Sequence, residues 1–360
     1  MNEIVFKLFS DCIPVMGAKR SVIYDLGRND YKYIPNILYE ILSIYNGNSI
    51  QTVKDNYKGN ERYIDEYFKF LEINEFIFFC NKTESYQFPP LDLSWDYPAI
   101  ISTTIINIYR ENRIDLNKII KELSLLGCKD FLINYYRKVS LNELSITFRI
   151  FNNYPIKSVD LNIPYSSELD NVELLAKLCD SYIIINKIII YKSPIDDHIA
   201  SKSKIRGNIF YTKQREINLN NICANNFVVN IPFFSEAQNH NVFFNRKVII
   251  SSLGFIAKSI HHNNKRWTLD DFKSIESIIN EKDYKENWFI NKDSISVCKD
   301  CEYRYMCIDS RDPLETCDGL YSFNSEHDCP YNPYVAKWEG QEGWTSVKQY
   351  SRNNHIHNAK

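Results

Sequence analysis

Four cysteines hold the main concentration of reactive groups in this chain. Three fall in the stretch Val297-Cys-Lys-Asp-Cys-Glu-Tyr-Arg-Tyr-Met-Cys307, and Cys329 lies in Asp328-Cys-Pro-Tyr-Asn-Pro-Tyr334. Two sulfurs separated by two residues can serve one centre from a single tight turn. A third and a fourth from flanking segments complete a tetrahedral zinc site or a cubane cluster. Thiolates select zinc or iron–sulfur over harder cations. Five of the ten cysteines lie between positions 298 and 329, whereas the other five are isolated. The spacing therefore predicts a metal site with Cys298, Cys301, Cys307 and Cys329 as ligands. Four protein thiolates leave no open coordination position, so such a centre is structural or, at most, an electron relay.

No other group has a comparable arrangement. No Gly-rich phosphate loop follows an apolar strand, and no Gly-x-Ser-x-Gly elbow occurs. Cys12, Cys80 and Cys223 are solitary, and Cys128 and Cys179, at helix–strand transitions, read as buried apolar residues. His261-His262, Asp196-Asp197 and Asp270-Asp271 read as solvated turns.

The elements that must position these groups fall into three parts. Residues 1–82 read as a small independent unit. Its strands are Phe6–Phe9 and Val22–Leu26, joined by a turn around Pro14 and Gly17, and Phe76–Phe79. Three helices follow the first two strands: Asn36–Tyr45, opened by Pro35, one near Ser49–Tyr57, and Arg62–Ile73 with Ile64, Tyr67, Phe68 and Leu71 at helical spacing. This order suggests a winged helix. A DNA-reading role is disfavoured, because Arg62 and Lys69 sit among Glu61, Asp65, Glu66 and Glu72. A peptide-binding wing, or a structural one, fits better.

After a Pro-containing linker, residues 98–240 alternate: strands near Ile100–Ile108, Phe131–Tyr135, Ser158–Ile163 and Ile183–Tyr191, with helices at Leu116–Leu126, Leu141–Phe151 and Leu169–Leu178. Gly207–Tyr211 and Phe227–Pro232 read as further strands. Repeated β-α units of this length imply a parallel sheet, open or curled into a partial barrel. From 241 to 338 the pattern changes to two β runs around Gly254, a helix from Thr268 to about Glu281, and then the Cys motif. The polar tail, 339–360, is expected to fray.

With 360 residues, 44% hydrophobic and 24% charged, the chain has material for two or three domains. A net charge of −2 gives no reason to expect nucleic acid or an anionic membrane as partner. The start has no signal-peptide features, and no run of about eighteen apolar residues could span a bilayer. Clustered cysteines without a secretion signal point to the reducing cytoplasm.

The Cys motif, together with Asp328-Cys-Pro-Tyr-Asn-Pro-Tyr334, resembles the SPASM domain of peptide maturases. It is most similar to those of grasp-with-spasm systems, which pair such a protein with an ATP-grasp ligase and a precursor peptide. Phe6-Lys-Leu-Phe9, Cys12-Ile-Pro14, Gly17-Ala-Lys-Arg20, Ile34-Pro35, Phe234 to His240 and Asn245-Arg-Lys247 extend the resemblance through most of the chain. It implies a recognition element for ribosomally made, modified peptides (RiPPs) at 1–82, a radical S-adenosylmethionine-like partial barrel at 98–240 and a SPASM cap at 241–338. It also favours a [4Fe-4S] cluster over zinc at the four cysteines.

Two departures qualify what the resemblance implies. The barrel's Cys-x3-Cys-x2-Cys motif is absent: Ile108 is followed by Tyr-Arg-Glu-Asn-Arg, and no Cys occurs until Cys128. Radical S-adenosylmethionine chemistry is therefore not expected. The positions that would ligate another auxiliary cluster hold Phe243, Ser259 and Ser310. Cys317 lies near Ser310, but one thiol cannot rebuild a cluster. The expectation is an α/β accessory protein of RiPP (graspetide) maturation with a single four-cysteine centre, binding a precursor's leader region and cooperating with an ATP-grasp ligase. The alternative is a peptide-modifying enzyme with an unrecognised site in the degenerate barrel.

Overall fold

The computed structural model describes residues 3–110, 113–199, 208–217, 222–259, 267–270, 274–317, 319–323 and 328–353. Its contacts divide into two compact units. One comprises Met1–Trp95, Asn221–Val242 and Ile290–Lys360; the other comprises Asp96–Asn220 and Phe243–Phe289. His261, His262 and Asp271, read above as turn residues, lie outside the described residues.

The first unit begins with strands β1 (Ile4–Leu8), β2 (Cys12–Val15), β3 (Ser21–Asp25) and β4 (Asp30–Ile34). Helices α1 (Asn36–Tyr45), α2 (Ile50–Asn56) and α3 (Glu61–Ile73) follow, then β5 (Ile77–Asn81). β5 returns antiparallel to β1, and β2-β3-β4 form an antiparallel meander. Phe6, Ile23, Leu38, Ile41, Ile64, Phe68 and Leu71 bury one shared core. The helices follow their apolar periodicity, and Ser49 caps α2 by accepting from the Thr52 N–H. The turn expected around Pro14 is instead strand β2. As the edge of the meander, β2 tolerates a residue with no N–H to donate.

The second unit is a β-α succession: β6 (Thr103–Ile108), α4 (Leu116–Leu125), β7 (Asp130–Tyr135), α5 (Leu141–Phe151), β8 (Ser158–Pro164), α6 (Val172–Ser181) and β9 (Ile185–Tyr191). Short β10 (Asp197–His198), β11 (Asn208–Thr212), β12 (Lys247–Ser251), β13 (Phe255–Ala257) and β14 (Trp267–Thr268) complete the nine-stranded sheet, in order β10-β11-β9-β8-β7-β6-β12-β13-β14. The neighbours from β11 to β12 are all parallel, and antiparallel pairing is confined to the margins. Asp115, Ser140 and Asn171 cap the three helices with side-chain oxygens. This is the expected α/β class, with a mostly parallel sheet consistent with a partial barrel.

Strands that succeed one another side by side through right-handed crossovers put their helices on one face. Phe131 meets Phe151 of α5 with ring centroids 5.0 Å apart, the Tyr135 hydroxyl pairs with Thr147 of α5 at 3.3 Å, and Tyr211 donates to the Leu169 carbonyl at 2.7 Å. On that face Ile106, Ile133, Leu161 and Ile188 are fully buried. The alternate residues point to the opposite face.

Three local expectations are corrected. Phe227–Pro232 is no strand: α7 (Ile231–Asn239) begins there, with Asn230 accepting from the Phe233 N–H and Pro232 in the first turn, where no N–H is needed. Thr268 ends β14, and the helix among the described residues that follows, α8 (Ile275–Ile279), is capped by Ser274, with α9 (Lys282–Lys285) after it. In the C-terminal part of the first unit, β15 (Pro313–Glu315) pairs with β16 (Tyr321–Phe323), and β17 (Tyr331–Asn332) with β18 (Lys337–Trp338). The tail expected to fray carries α10 (Val347–Asn353), held back by Tyr350 stacking on Tyr334 and by the Thr345 carbonyl accepting from Asn332. No helix of the described residues is long and apolar enough to cross a membrane.

Candidate functional site

The Cys-bearing segment has little regular structure, so single turns place its thiols. The Cys301 N–H donates to the Cys298 carbonyl at 3.0 Å, closing the turn that carries the first pair, and the Cys307 N–H donates to the Tyr303 carbonyl at 3.0 Å. Immediately before Cys298, Val297 holds φ at 70° and ψ at −48°. That region is costly for a β-branched residue, by about 1–3 kcal/mol, so the turn is imposed by its surroundings.

Cys301, Cys307 and Cys329 pack against one apolar cluster with Tyr24, Phe234, Tyr303, Met306 and Tyr331. Burial pushes the Cys298 thiol up to about 12 and that of Cys329 to about 11, and raises Cys301 and Cys307 as well. Cys329 lies within electrostatic reach of Cys298, Cys301 and Cys307. Among the described residues, however, no three His, Cys, Asp or Glu side chains draw together tightly enough to hold a single ion.

The charges around the thiols suit an anionic centre. Lys292 and Arg311 are buried there with Asp309, whose oxygens Arg311 grips at 2.6 and 2.9 Å, and the next residue, Asp312, is buried as well. Lys292 donates to the Cys307 carbonyl at 2.6 Å. Burial opposes its charge, but Cys307, Asp309 and Cys298 outweigh that and hold its ammonium above the usual range. The fields of Lys292 and Arg311 favour the thiolate forms of Cys298 and Cys307, against the burial that opposes them. The donor set and its counter-charges therefore fit a thiolate-bound metal group.

The hairpin β2–β3 closes over the residue next to Cys301. Glu302 is 0% exposed. Its Oε1 accepts from Arg20 Nε at 2.8 Å and from the Tyr331 hydroxyl at 2.5 Å, while Oε2 is buried with no hydrogen-bond partner among the described residues. The Tyr24 hydroxyl donates to the Glu302 carbonyl at 2.9 Å. Arg20 also donates to the Tyr303 hydroxyl at 2.8 Å and stacks 3.6 Å over the Tyr33 ring. Gly17 is required by close approach: a Cβ there would meet the Glu302 backbone N at 2.9 Å and the Arg20 carbonyl at 2.5 Å. The Ala18 N–H donates to the Asp300 carbonyl at 2.7 Å. Residue-type reasoning passed over Glu302 and Arg20 as site residues. The available signal was an acidic residue lodged between two predicted ligands.

In the sheet unit, the face away from the helices carries a row of amides. Asn107, Asn134 and Asn162 sit opposite one another on β6, β7 and β8 and are buried. Asn162 Nδ2 donates to Asn134 Oδ1, and Asn134 Nδ2 to Asn107 Oδ1, both at 2.8 Å. The row stands near the C-terminal strand ends, where parallel sheets place their ligands. The signal in the sequence was an Asn recurring 27 and then 28 residues on, one per β-α unit.

Phe243, Ser259 and Ser310, the positions without thiols, are 8%, 3% and 1% exposed. Cys128 and Cys179 are buried as expected, and burial raises the Cys128 thiol to about 12. Cys12 is also buried, Cys80 and Cys223 are half-buried, and Cys317 is exposed.

No family model and no curated protein matches the chain. Among solved structures, two crystal structures of SuiB from Streptococcus suis, one bound to S-adenosylmethionine, align over 84% of this chain and 94% of theirs. Identities are 10% and 11%, with TM-scores of 0.29 and 0.30.

Proposed function

We propose that this chain is an accessory protein of RiPP maturation. Its N-terminal module binds the leader of a precursor peptide for a partner ATP-grasp ligase, and Cys298, Cys301, Cys307 and Cys329 hold one closed metal centre. The observation that carries the reading is the free edge of β4. Among the described residues, the backbone of β4 pairs only with β3, so its outer N–H and C=O groups are available to an extended peptide. On titrating the full chain with the precursor encoded beside its gene, binding in the micromolar range, about −8 kcal/mol, is expected. Slowed amide exchange should centre on Asp30–Ile34. Protection elsewhere with β4 unchanged would refute the assignment.

For the metal, the resemblance of the Cys motif to SPASM domains favours a [4Fe-4S] cluster, although four thiolates alone would suit zinc equally. Around one zinc ion four sulfurs crowd at about 2.3 Å from the metal, whereas a cubane binds each thiolate through a different iron and so spreads them. A closed cluster supplies cross-linking and, at most, electron transfer. Metal and sulfide analysis of anaerobically purified protein is expected to give about four irons; stoichiometric zinc in the reconstituted protein would overturn the choice.

The amide row supports a second reading, in which the sheet holds a ligand and modifies the peptide. Even so, reconstituted protein with S-adenosylmethionine and reductant is expected to yield no deoxyadenosine above background. Its appearance, or a mass change in the precursor caused by this chain alone, would favour an enzyme.

A further inference from the structure

A groove of about 550 Å³ opens on the N-terminal module, lined by Phe9, Cys12, Ile77 and Phe79 on its apolar side and by Asp11, Asp25, Glu72 and Glu75 around them, with Arg28. Its lining comes from the start of β2, the end of β3, the β3–β4 turn, β5 and the end of α3, and includes no residue of β4. Its charge is unbalanced. Arg28 is committed to Asp25, to Glu75 Oε2 at 2.9 Å and to the Asn74 carbonyl at 2.7 Å. That leaves the Glu72 carboxylate with no ion-pair or hydrogen-bond partner among the described residues, and the Asp11 carboxylate with only the Cys12 thiol at 4.0 Å. The C-terminal dipole of α3 adds negative potential at the same spot. The field is felt locally: burial, then the charges of Asp25 and Asp11, push the Cys12 thiol up to about 12.

Phe9 and Phe79 are 41% and 42% exposed, so the groove presents aromatic surface to solvent along with the carboxylates. Aromatic surface beside uncompensated carboxylates complements a long side chain with an apolar stem and a cationic head. A bare metal ion fits worse, because no three of these carboxylates converge.

We propose that this groove recognises a basic side chain, Arg or Lys, of a peptide bound to the N-terminal module. The proposal rests on the peptide-binding reading above and adds the residue type that is read. Arg28 supplies a like charge, but its commitment to Asp25 and Glu75 keeps it from filling the space.

The test titrates the full chain, methyl-labelled at Ile, with blocked pentapeptides acetyl-Gly-Gly-Xaa-Gly-Gly-amide in which Xaa is Arg, Lys, citrulline or Glu. The Arg and Lys peptides are expected to give saturable shifts at Ile77, with affinity roughly tenfold above citrulline, the size of two exposed ion pairs. The double variant Asp11→Asn/Glu72→Gln should bring the Arg peptide to the citrulline level while the melting temperature holds. Equal binding of Arg and citrulline peptides, no shift with any of them, or indifference of the double variant would overturn the proposal. Leader titration of the same variant separates the two readings. A leader that protects β4 equally in parent and variant, without pentapeptide discrimination, sinks only the groove. Discrimination by a chain that binds no leader sinks only the leader assignment.

Discussion

The parallel sheet and the Cys-bearing segment reach order by opposite means. In the sheet, each strand from β11 to β12 repeats the same backbone ladder, and each helix from α4 to α6 repeats the same cap and apolar stripe. Between Ile290 and Trp338 the regular pieces are single turns and strand pairs of two or three residues. Order there depends on side chains that serve several segments at once. Glu302 alone joins Arg20, Tyr331 and, through its carbonyl, Tyr24. Repetition spreads the load, and an irregular region concentrates it on a few residues.

That contrast sets the scale of response to substitution. The largest effect is expected from Cys301→Ser in protein carrying its centre. Loss of the bound group should cost about 3–4 kcal/mol, the stabilisation a ligand gives at a few hundred to a thousand times its Kd. Amide exchange should quicken at residues 298–307 and also in the β2–β3 hairpin, because Gly17 and Tyr24 rest on residue 302. A hairpin whose exchange stayed slow would show that the concentration of load is illusory. Glu302→Ala comes next, at about 3 kcal/mol by urea denaturation; it breaks a buried pair, although Arg20 keeps some access to water.

In the sheet the strongest single change should be smaller. Asn134→Leu strips the row of both hydrogen bonds and leaves Asn107 Oδ1 and Asn162 Nδ2 facing an apolar side chain, for about 2 kcal/mol at unchanged m-value. A loss exceeding that of Glu302→Ala would invert the comparison. The smallest effect has the opposite sign. Val297→Gly should gain about 1 kcal/mol by relieving the positive φ, net of Gly's greater freedom when unfolded. A melting temperature that fell would show that the Val side chain supports the turn.

The same contrast decides what could be read in advance. Strands and helices from Thr103 to Tyr191 lie close to where local periodicity puts them, since their signals are apolar spacing and a cap within one turn. The strand β2 escaped because Pro14 reads as a turn, and α7 escaped because Phe227-Val-Val is apolar without helical period and Asn230 was not taken as a cap. Arg20 and Glu302 stand 282 residues apart, and no local pattern connects them. The cysteines were legible as a set. The buried cations beside them were not, because a Lys or Arg in a sequence ordinarily signals a wet surface.

The amide row has a consequence for how the sheet finds its alignment. On the helix-covered face β7 and β8 are apolar, whereas Asp130 and Asn134 of β7 and Ser158, Asp160 and Asn162 of β8 share the other face, so hydrophobic alternation already disfavours a one-residue offset and the amides add to it. Sliding β7 by one residue would set Ile133 or Tyr135 opposite Asn107 and Asn162 and strand both amides in an apolar layer. Every wrong offset thus carries a desolvation penalty that the right one lacks. Three asparagines thus add an alignment mark to the alternation of the strands, making the near-miss sheets less stable still.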